Sequence, residues 1–550
     1  MPFPLDDALL SRLRADLAAS DFTVEGLSAA DGWGPSSGSS LFRGERVAAR
    51  RALDRRAAAH PASRASGTLA ALFVLGLPRP AADVAAALPT LGVEGAVRLG
   101  LVEVDGGDRA DGAVEGDGPA VRPLVDLRPY SFVDAGGEAS WWIRSVLGEM
   151  AVGVALREDH VLGIGGASTT LAGLVVPRRG ERALDLGTGC GIQALHVARH
   201  ARHVVATDIS QRALDVAAFN AALNLVDGIE FRLGSLFEPV AGETFDLVVS
   251  NPPFVITPRA EGVPEYEYRD GGMVGDELVA SVVADVGAHH TPGGVAQLLG
   301  NWETGGVATE PGAPVAPGAP VASGGPGATR KGAASVPEWA ARGGVPVDVW
   351  VVEREVQDPA TYAETWIRDG GTRTGTPDFE RLTEAWLDDF EARGVHEVGF
   401  GYVTLRRPVD PGATPVVRVE RLREGIGQNE VGLGAHVLQT LDAVDALRDA
   451  SDDDLMAVAW RTAGDVTEER HHWPGADDPT VLHLRQGGGF GRVVESGTAL
   501  SALVGASDGE LTAGAICAAL AQLLGAPEAD LRAELAPHLR ELVTVGVLRR

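Results

Sequence analysis

The chain is poor in lysine, in cysteine and in long apolar runs. Lys331 is its single lysine, so nearly all of the 47 basic residues are arginines, and 76 acidic residues outnumber them. The formal charge of −29 excludes a generally basic nucleic-acid coat, although a local basic patch remains compatible with it. Together with the abundant alanine and glycine, the lysine deficit indicates coding bias in a GC-rich genome rather than a function.

The chain has two cysteines and lacks apolar runs long enough to span a membrane. Cys190 and Cys517 lie far apart in sequence and cannot build a disulfide framework or a cysteine-based zinc site by themselves. No run approaches the ~20 apolar residues that span a bilayer. The first residues carry acids where a signal peptide would be basic and then apolar. We therefore expect a cytoplasmic protein with no membrane partner.

Two adjacent histidine pairs, His289-His290 and His471-His472, are the remaining candidates for metal ligands. Neighbouring side chains on a strand point to opposite faces. Neither pair has a carboxylate or a third histidine at metal-ligand spacing in the sequence. We therefore predict solvent-exposed histidines and no metal site.

At 550 residues the chain is too long for one core, because domains usually run ~100–200 residues. We predict a helical or winged-helix-like domain over 1–140, an α/β domain over 141–409, and a C-terminal α/β domain over 410–550 that ends in a winged-helix-like unit. Residues 304–337 contain repeated PGAPVA units with little bulky apolar surface, which predicts a disordered insertion.

A run of arginines from Arg43 to Arg56 lies on a predicted helix near the N-terminus. One interpretation is a basic helix that touches RNA or another acidic partner. A solvated helix face in an arginine-only chain is the simpler interpretation, and we favour it.

The middle of the chain alternates short apolar runs, such as ERALDLG, HVVATD and FDLVVSNPP, with helical stretches. This alternation is typical of a parallel sheet with helices on both faces. One run enters a glycine loop, Gly187-Thr-Gly189-Cys-Gly191, which opens a helix. Glycines let the backbone approach a ligand closely, and a helix N-terminus favours an anionic group. The loop is therefore a predicted cofactor site.

The next run ends at Asp208, about 20 residues beyond the glycines, where an acid can accept hydrogen bonds from ribose hydroxyls. A dinucleotide fingerprint would need its third glycine where Ile192 stands. The G-x-G-x-G spacing, with Asp185 ahead of it, instead resembles the first motif of class I S-adenosylmethionine (AdoMet) methyltransferases. Asp185 is explained equally well as a structural cap of the loop.

That resemblance implies a Rossmann-like, mostly parallel seven-stranded α/β sheet and AdoMet as the cofactor. It also implies that three residues contact the adenine ring of AdoMet, namely Ile209, Ser235 and Leu236. Upstream, Ser168 and Thr169 in GIGGASTTLAGL are candidates for lining the same pocket or for capping a helix.

Asn251-Pro252-Pro253-Phe254 follows another apolar run, and ligands of open α/β sheets bind beyond the carboxyl ends of the strands. A planar NH2 group is a weak nucleophile because its lone pair is delocalised. The side-chain oxygen of Asn251 and the backbone carbonyl of Pro252 can hold such a group on a stiff backbone with its lone pair turned toward a methyl donor. Phe254 can stack on the flat acceptor.

This tetrapeptide resembles the acceptor motif of the HemK-type glutamine N5-methyltransferases, which modify peptide-chain release factors. It is also similar to that of ribosomal-RNA guanine-N2 and adenine-N6 methyltransferases. YEYRDGGMVGDEL is similar to the glycine-rich segment that follows the tetrapeptide in the glutamine enzymes. The resemblance covers roughly residues 163–407.

The resemblance implies an AdoMet-dependent N-methyltransferase in which Asn251 to Phe254 form the catalytic motif. Its expected acceptor is a glutamine amide of a translation-factor-like protein. A nucleic-acid base is the first alternative, with RNA as the partner. A small-molecule acceptor and a non-catalytic AdoMet-binding scaffold stay open as well.

Overall fold

The computed structural model describes residues 5–28, 41, 45–105, 119–148, 160–260, 262–264, 269–305 and 330–550. The chain divides into two compact units. The first consists of Met1–Phe132, Glu138–Ala172 and Arg179–Glu420, and the second of Val133–Gly137, Gly173–Arg178 and Arg421–Arg550. No helix in the described part of the chain is long and apolar enough to span a membrane.

The α-helices are α1 (Asp7–Ala19), α2 (Val24–Ser28), α3 (Arg46–Ala59), α4 (Arg64–Leu69), α5 (Ala81–Ala87), α6 (Gly92–Arg98), α7 (Gly166–Leu174), α8 (Ile192–Val197), α9 (Gln211–Leu223), α10 (Glu277–Asp285), α11 (Val336–Arg342), α12 (Pro359–Asp369), α13 (Pro377–Arg393), α14 (Gly434–Leu447), α15 (Asp452–Met456), α16 (Thr498–Ala506), α17 (Ala513–Leu524) and α18 (Glu528–Thr544).

The strands are β1 (Arg79–Pro80), β2 (Val102–Val104), β3 (Ala120–Pro123), β4 (Val125–Asp134), β5 (Gly137–Val146), β6 (Gly180–Leu186), β7 (Ala201–Asp208), β8 (Ile229–Leu233), β9 (Phe245–Ser250), β10 (His290–Gly305), β11 (Arg330–Lys331), β12 (Asp348–Gln357), β13 (Val395–Arg406), β14 (Val417–Arg421), β15 (Arg461–Thr462), β16 (Val466–His471), β17 (Val481–Gln486), β18 (Val493–Ser496) and β19 (Leu548–Arg549).

A mixed sheet of nine strands forms the core of the first unit, in the order β14-β12-β13-β10-β9-β6-β7-β8 with β11 paired to β10. The strands β6 to β9 pair in parallel, and β10 joins β9 in the same sense. β13 runs antiparallel to both β10 and β12. The predicted α/β architecture of class I methyltransferases is confirmed. The sheet exceeds the expected seven strands because β11 and β14 add short pieces to it.

The N-terminal helix α1 packs against α9 and belongs to the same compact unit as this sheet. Leucines of α1 share a buried core with Phe219 and Leu223 of α9. Arg14 Nη1 donates to the carbonyl of Ala222 at 3.0 Å. Apolar burial therefore continues from the N-terminal helices into the central domain. Most of the second unit is Arg421–Arg550. The predicted domain boundaries stay a prediction.

Within the N-terminal region, α5 and α6 lie between β1 and β2, and β1, β3 and β2 pair in that order as an antiparallel sheet. The interpretation of this region as winged-helix-like stays a prediction. In the arginine run, Arg43 lies outside the described residues. α3 buries Ala49, Ala52 and Leu53 and turns most of its arginines outward, as either interpretation of the run requires.

The ends of the predicted insertion 304–337 are structured. β10 extends to Gly305, and Arg330 begins β11, which pairs with β10 and leads through a short 3-10 helix into α11. The apolar side chains of Ala333 and Val336 belong to the buried core. The overall composition of residues 304–337 did not indicate this. Residues 306–329 lie outside the described residues.

The prediction that His289 and His290 are exposed is wrong. Both are buried, because the chain enters the central strand β10 at this point. The His289 ring stacks on Phe237 at a centroid distance of 4.5 Å, and its Nδ1 lies 2.9 Å from the carbonyl of Glu243. Neither ring nitrogen of His290 has a hydrogen-bond partner among the described residues. Burial lowers the pKa of His290 to about 3.

The unpaired His290 predicts a loss of stability in weak acid. Below the ordinary histidine pKa of about 6.5, His290 is protonated in the unfolded chain. In the folded chain it stays neutral down to about pH 3. The free energy of unfolding should therefore fall by up to about 1.4 kcal/mol per pH unit below pH 6.5. His290→Leu should reduce this slope in urea titrations at several pH values.

His396→Leu is the control for that experiment, since His396 is exposed on β13. It should leave the slope as it is in the unmodified protein. Equal slopes in both variants would show that His290 is protonated in the folded state.

Candidate functional site

A cavity of about 550 Å³ lies at the carboxyl ends of β6, β7 and β9 in the first unit. Parallel strands end at the same edge of a sheet, so the loops that follow them meet there. The structure brings most of the predicted site residues to its wall: Gly187, Gly189, Asp208, Ile209, Ser235, Leu236, Asn251, Pro252 and Pro253. Asp185, Gly191 and Phe254 are predicted residues outside this lining.

Gly187 and Gly189 leave space for a ligand, whereas Gly191 allows close packing against a helix. All of them adopt positive φ angles, which glycine tolerates without a Cβ clash. A Cβ added at Gly187 or Gly189 would meet no atom within 4 Å, so this side of the loop is open to a ligand. A Cβ at Gly191 would lie 2.8 Å from the Cβ of Ala217 on α9. Gly191 therefore serves the packing of the loop against a helix.

Asp185 is a structural cap. Its side chain is fully buried at the end of β6, and Oδ2 accepts hydrogen bonds from Thr188 Oγ1 at 2.6 Å and from the backbone N of Ala194 at 2.8 Å. Burial raises the pKa of this carboxyl to about 7. Of the two interpretations of Asp185, the geometry favours the capping one.

Asp208 ends β7 and faces the cavity. Its Oδ2 accepts from the backbone N of Gly189 at 2.9 Å, and Oδ1 accepts from the backbone N of Ser210 at 2.9 Å. The carboxylate thus fixes the glycine loop, and each oxygen retains a lone pair for a further donor. Burial raises the pKa of Asp208 above its ordinary value.

The side chains predicted to contact adenine also lie at the cavity. Ile209 is 67% exposed at its rim, which is a costly place for an apolar side chain unless a flat ligand covers it. Leu236 adopts a φ of +46°, a strained conformation for a branched residue. Such strain is concentrated at functional sites.

Asn251 provides an unpaired polar atom in the cavity wall. Its side-chain oxygen is buried and has no hydrogen-bond partner among the described residues. Leaving a buried acceptor unsatisfied costs about 1–3 kcal/mol. The adjacent Pro252 and Pro253 line the same wall and stiffen the backbone around it. An unsatisfied oxygen on a rigid loop is suited to accept a hydrogen bond from a ligand.

Phe254 is not placed to stack on a ligand in this cavity. Its ring packs against Phe400 at a centroid distance of 5.5 Å and against Trp366 at 6.3 Å. The backbone beside it is held as well, because Ile256 N donates to Tyr362 Oη at 3.0 Å. Phe254 therefore anchors the loop that carries Asn251, and the expectation of a stacking role does not agree with this geometry.

Sequence reasoning missed an ion pair on the cavity wall. Arg259 Nη1 donates to Asp270 Oδ2 at 3.1 Å, Nη2 binds the other carboxylate oxygen, and Nη2 also donates to the carbonyl of Met273 at 3.0 Å. Phe254 and Asp270 form an isolated antiparallel bridge. We name these contacts the acceptor clasp, because they join the Asn251 loop to the Gly271-Gly272 loop.

The glycine-rich segment YEYRDGGMVGDEL contains Asp270, and its resemblance to the glutamine enzymes was the signal that could have located the clasp. Residues 266–268 of that segment lie outside the described residues. Gln193 was missed as well. Its Nε2 donates to the carbonyl of Ser168 at 2.7 Å, and its buried Oε1 has no partner among the described residues. Nothing in the sequence distinguishes this glutamine from an ordinary helical residue.

Comparison with known proteins identifies two regions of the chain. Residues 163–262 match the methyltransferase small domain, and residues 19–113 match a domain of unknown function (DUF7059). The chain is 38% identical to the release factor glutamine methyltransferase of Xylella fastidiosa over 133 aligned residues. The aligned region is 23% of this chain and 48% of that protein.

A second relative is the ribosomal protein uL3 glutamine methyltransferase of Bradyrhizobium diazoefficiens, which is 34% identical over 161 aligned residues. The aligned region is 28% of this chain and 47% of that protein. The chain thus spans about half the length of the curated relatives it matches. A solved 16S rRNA N2 methyltransferase of T. thermophilus shares 21% identity and a TM-score of 0.24, over 44% of this chain and 61% of that one. At this TM-score the likeness carries no functional argument.

The matched residues 163–262 contain the glycine loop, Asp208 and Asn251, so the similarity coincides with the cavity. The predicted resemblance to HemK-type class I methyltransferases is confirmed for this region. Residues 163–262 are thus similar to the methyltransferase small domain.

Proposed function

We propose that the first unit binds AdoMet and transfers its methyl group to the nitrogen of a planar NH2 group, namely a glutamine side-chain amide of a protein. The observation that carries this proposal is the buried, unpaired oxygen of Asn251 in the wall of the cavity. A donor is required there, and an amide NH2 has two.

The cavity fits AdoMet. Gly187 and Gly189 leave room where any side chain would stand, and Asp208 offers carboxylate oxygens to ribose hydroxyls. Ile209 and Leu236 offer apolar surface to a flat base. Asp208 and the unpaired Gln193 oxygen suit a ligand that carries positive charge and N–H donors.

When bound, AdoMet supplies a methyl group on a cationic sulfur. Asn251 Oδ1 and the Pro252 carbonyl would accept the two hydrogens of the acceptor NH2, which turns the nitrogen lone pair out of conjugation and toward the methyl carbon. The methyl group would exchange its bond to the AdoMet sulfur for one to this nitrogen, S-adenosylhomocysteine would leave, and the methylated nitrogen would then release a proton. Because this proton leaves after transfer, the chain needs no strong general base.

A protein glutamine is favoured over a nucleic-acid base for two reasons. The similar proteins are named for glutamine methylation of release factors and of ribosomal protein uL3. In addition, the formal charge of −29 opposes phosphate binding in general. We therefore propose a protein of the translation machinery as the partner and the cytoplasm as the place of the reaction.

The proposal is tested by transfer of tritiated methyl from AdoMet into a lysate of cells that lack the gene, followed by separation of protein and RNA. Nuclease-resistant label in a protein, located by peptide sequencing on a glutamine, is the expected result. Label in RNA would contradict the proposal of a glutamine acceptor but would still support methyl transfer from AdoMet. No label in either fraction, with AdoMet binding demonstrated, would contradict the glutamine acceptor and favour a small-molecule acceptor or a non-catalytic scaffold.

Asn251→Ala should lower kcat by about 100-fold or more, the usual scale for losing one positioned polar contact in a transition state. AdoMet affinity, measured by calorimetry, should change little. Asn251→Asp retains an acceptor oxygen and should lose less activity than the alanine variant. Equal activities of Asn251→Ala and the unmodified protein would remove this side chain from the mechanism.

Gly189→Ala and Gly191→Ala form a matched pair that tests where the cofactor lies. Both place a Cβ at positive φ, at a cost of about 1–2 kcal/mol. The Gly189 methyl would enter the open side of the loop, so AdoMet affinity should fall at least tenfold. The Gly191 methyl would clash with Ala217, so thermal stability should fall more than it does in Gly189→Ala. The opposite pattern would place the cofactor elsewhere.

Arg259→Ala should open the acceptor clasp. We expect a raised KM for the acceptor and unchanged AdoMet affinity, because the clasp orders the loops on the acceptor side of the cavity. Arg368→Ala is the control, since its ion pair with Glu364 on α12 is exposed and contributes little. The same KM in both variants would show that the clasp does not position the acceptor.

A further inference from the structure

The small sheet of the second unit brings together two imidazoles and a carboxylate. Glu469 of β16 lies directly opposite His483 of β17 in antiparallel register. His471 follows Glu469 by two residues and therefore points to the same face. The three side chains can offer ligand atoms that all lie within 4.8 Å of one another. Among the residues that the structure describes, no other group of this kind occurs.

The geometry of these side chains suits a common ligand. His471 Nε2 lies 3.9 Å from Glu469 Oε2. The two imidazole rings are 5.4 Å apart at an interplanar angle of 68°, so they are edge-on rather than stacked. Donor atoms of a tetrahedral zinc site, each about 2.0–2.2 Å from the metal, lie roughly 3.3–3.6 Å from one another. Small rotamer changes would close the remaining gap.

We propose that Glu469, His471 and His483 form a binding site for a divalent transition metal, with Zn²⁺ as the occupant. Three protein ligands leave one tetrahedral position to water. Imidazole nitrogens favour Zn²⁺ over Mg²⁺ and Ca²⁺, which take oxygen ligands. The half-buried to exposed setting gives the ion free access from solvent.

Arg485 orients the carboxylate of this site. Its Nε donates to Glu469 Oε1 at 2.6 Å, while the other oxygen, Oε2, is the one nearest to His471. Partners of this kind fix the direction of metal ligands. The guanidinium charge also opposes a nearby cation, so this site is weaker than one with a neutral partner for its carboxylate.

A metal held by both strands would tie β16 to β17. Because the folded state alone brings these three residues together, binding stabilises the second unit by mass action. This proposal differs from the expectation of no metal site, because the spacing of residues in the sequence does not show which residues are cross-strand neighbours. His483 stands opposite Glu469 only through the register of the β16–β17 pair.

The test is calorimetric titration of the full chain, without a polyhistidine tag, with Zn²⁺. We expect one equivalent per chain at micromolar metal and a higher melting temperature of the second unit. Co²⁺ should show the visible absorption of a tetrahedral site, and Mg²⁺ should not bind. His483→Ala should weaken Zn²⁺ binding at least tenfold.

His472→Ala is the matched control, because His472 is exposed and follows His471 directly without belonging to the cluster. It should retain the full affinity. Circular dichroism of both variants without metal checks that each remains folded. Absence of Zn²⁺ binding, or equal loss of affinity in the His472 and His483 variants, would overturn the proposal.

Discussion

The parallel pairing of β6 with both β7 and β9 is the constraint on which the site depends. This pairing aligns Leu186 with Thr207 on one side and with Ser250 on the other, so the three following loops begin at one edge. Gly187 to Gly191, Asp208 and Asn251 then meet without any further folding element. A shift in either register would separate the glycine loop from the loop that carries Asn251.

The loop that carries Asn251 is rigid because several groups hold it from outside the cavity. Ser250 Oγ donates to the carbonyl of Leu186 at 2.8 Å, and Tyr362 Oη accepts from Ile256 N and from Asn301 Nδ2. Phe254 packs into the aromatic cluster behind the loop. These contacts offset the cost of leaving the Asn251 oxygen unsatisfied, and they hold that oxygen in the position that the proposed function requires.

The sequence predicted the central sheet and most of the cavity wall, because glycine spacing, strand-end acids and the N-P-P-F tetrapeptide are local patterns. It did not predict the direction of the Phe254 ring, which is decided by Phe400 and Trp366 far along the chain. The Arg259–Asp270 pair and the Glu469–His483 pairing depend on tertiary contacts in the same way. His290 was misjudged because a polar residue seldom begins a central strand without a partner.

The unpaired oxygen of Asn251 is the central claim, and a crystal structure with S-adenosylhomocysteine and a glutamine-containing peptide tests it most directly. The account predicts that the cofactor product lies on Gly187 and Gly189, and that the amide nitrogen of glutamine lies about 3 Å from Asn251 Oδ1. A glutamine bound away from Asn251, or an Asn251 oxygen satisfied by another group of the protein, would contradict it.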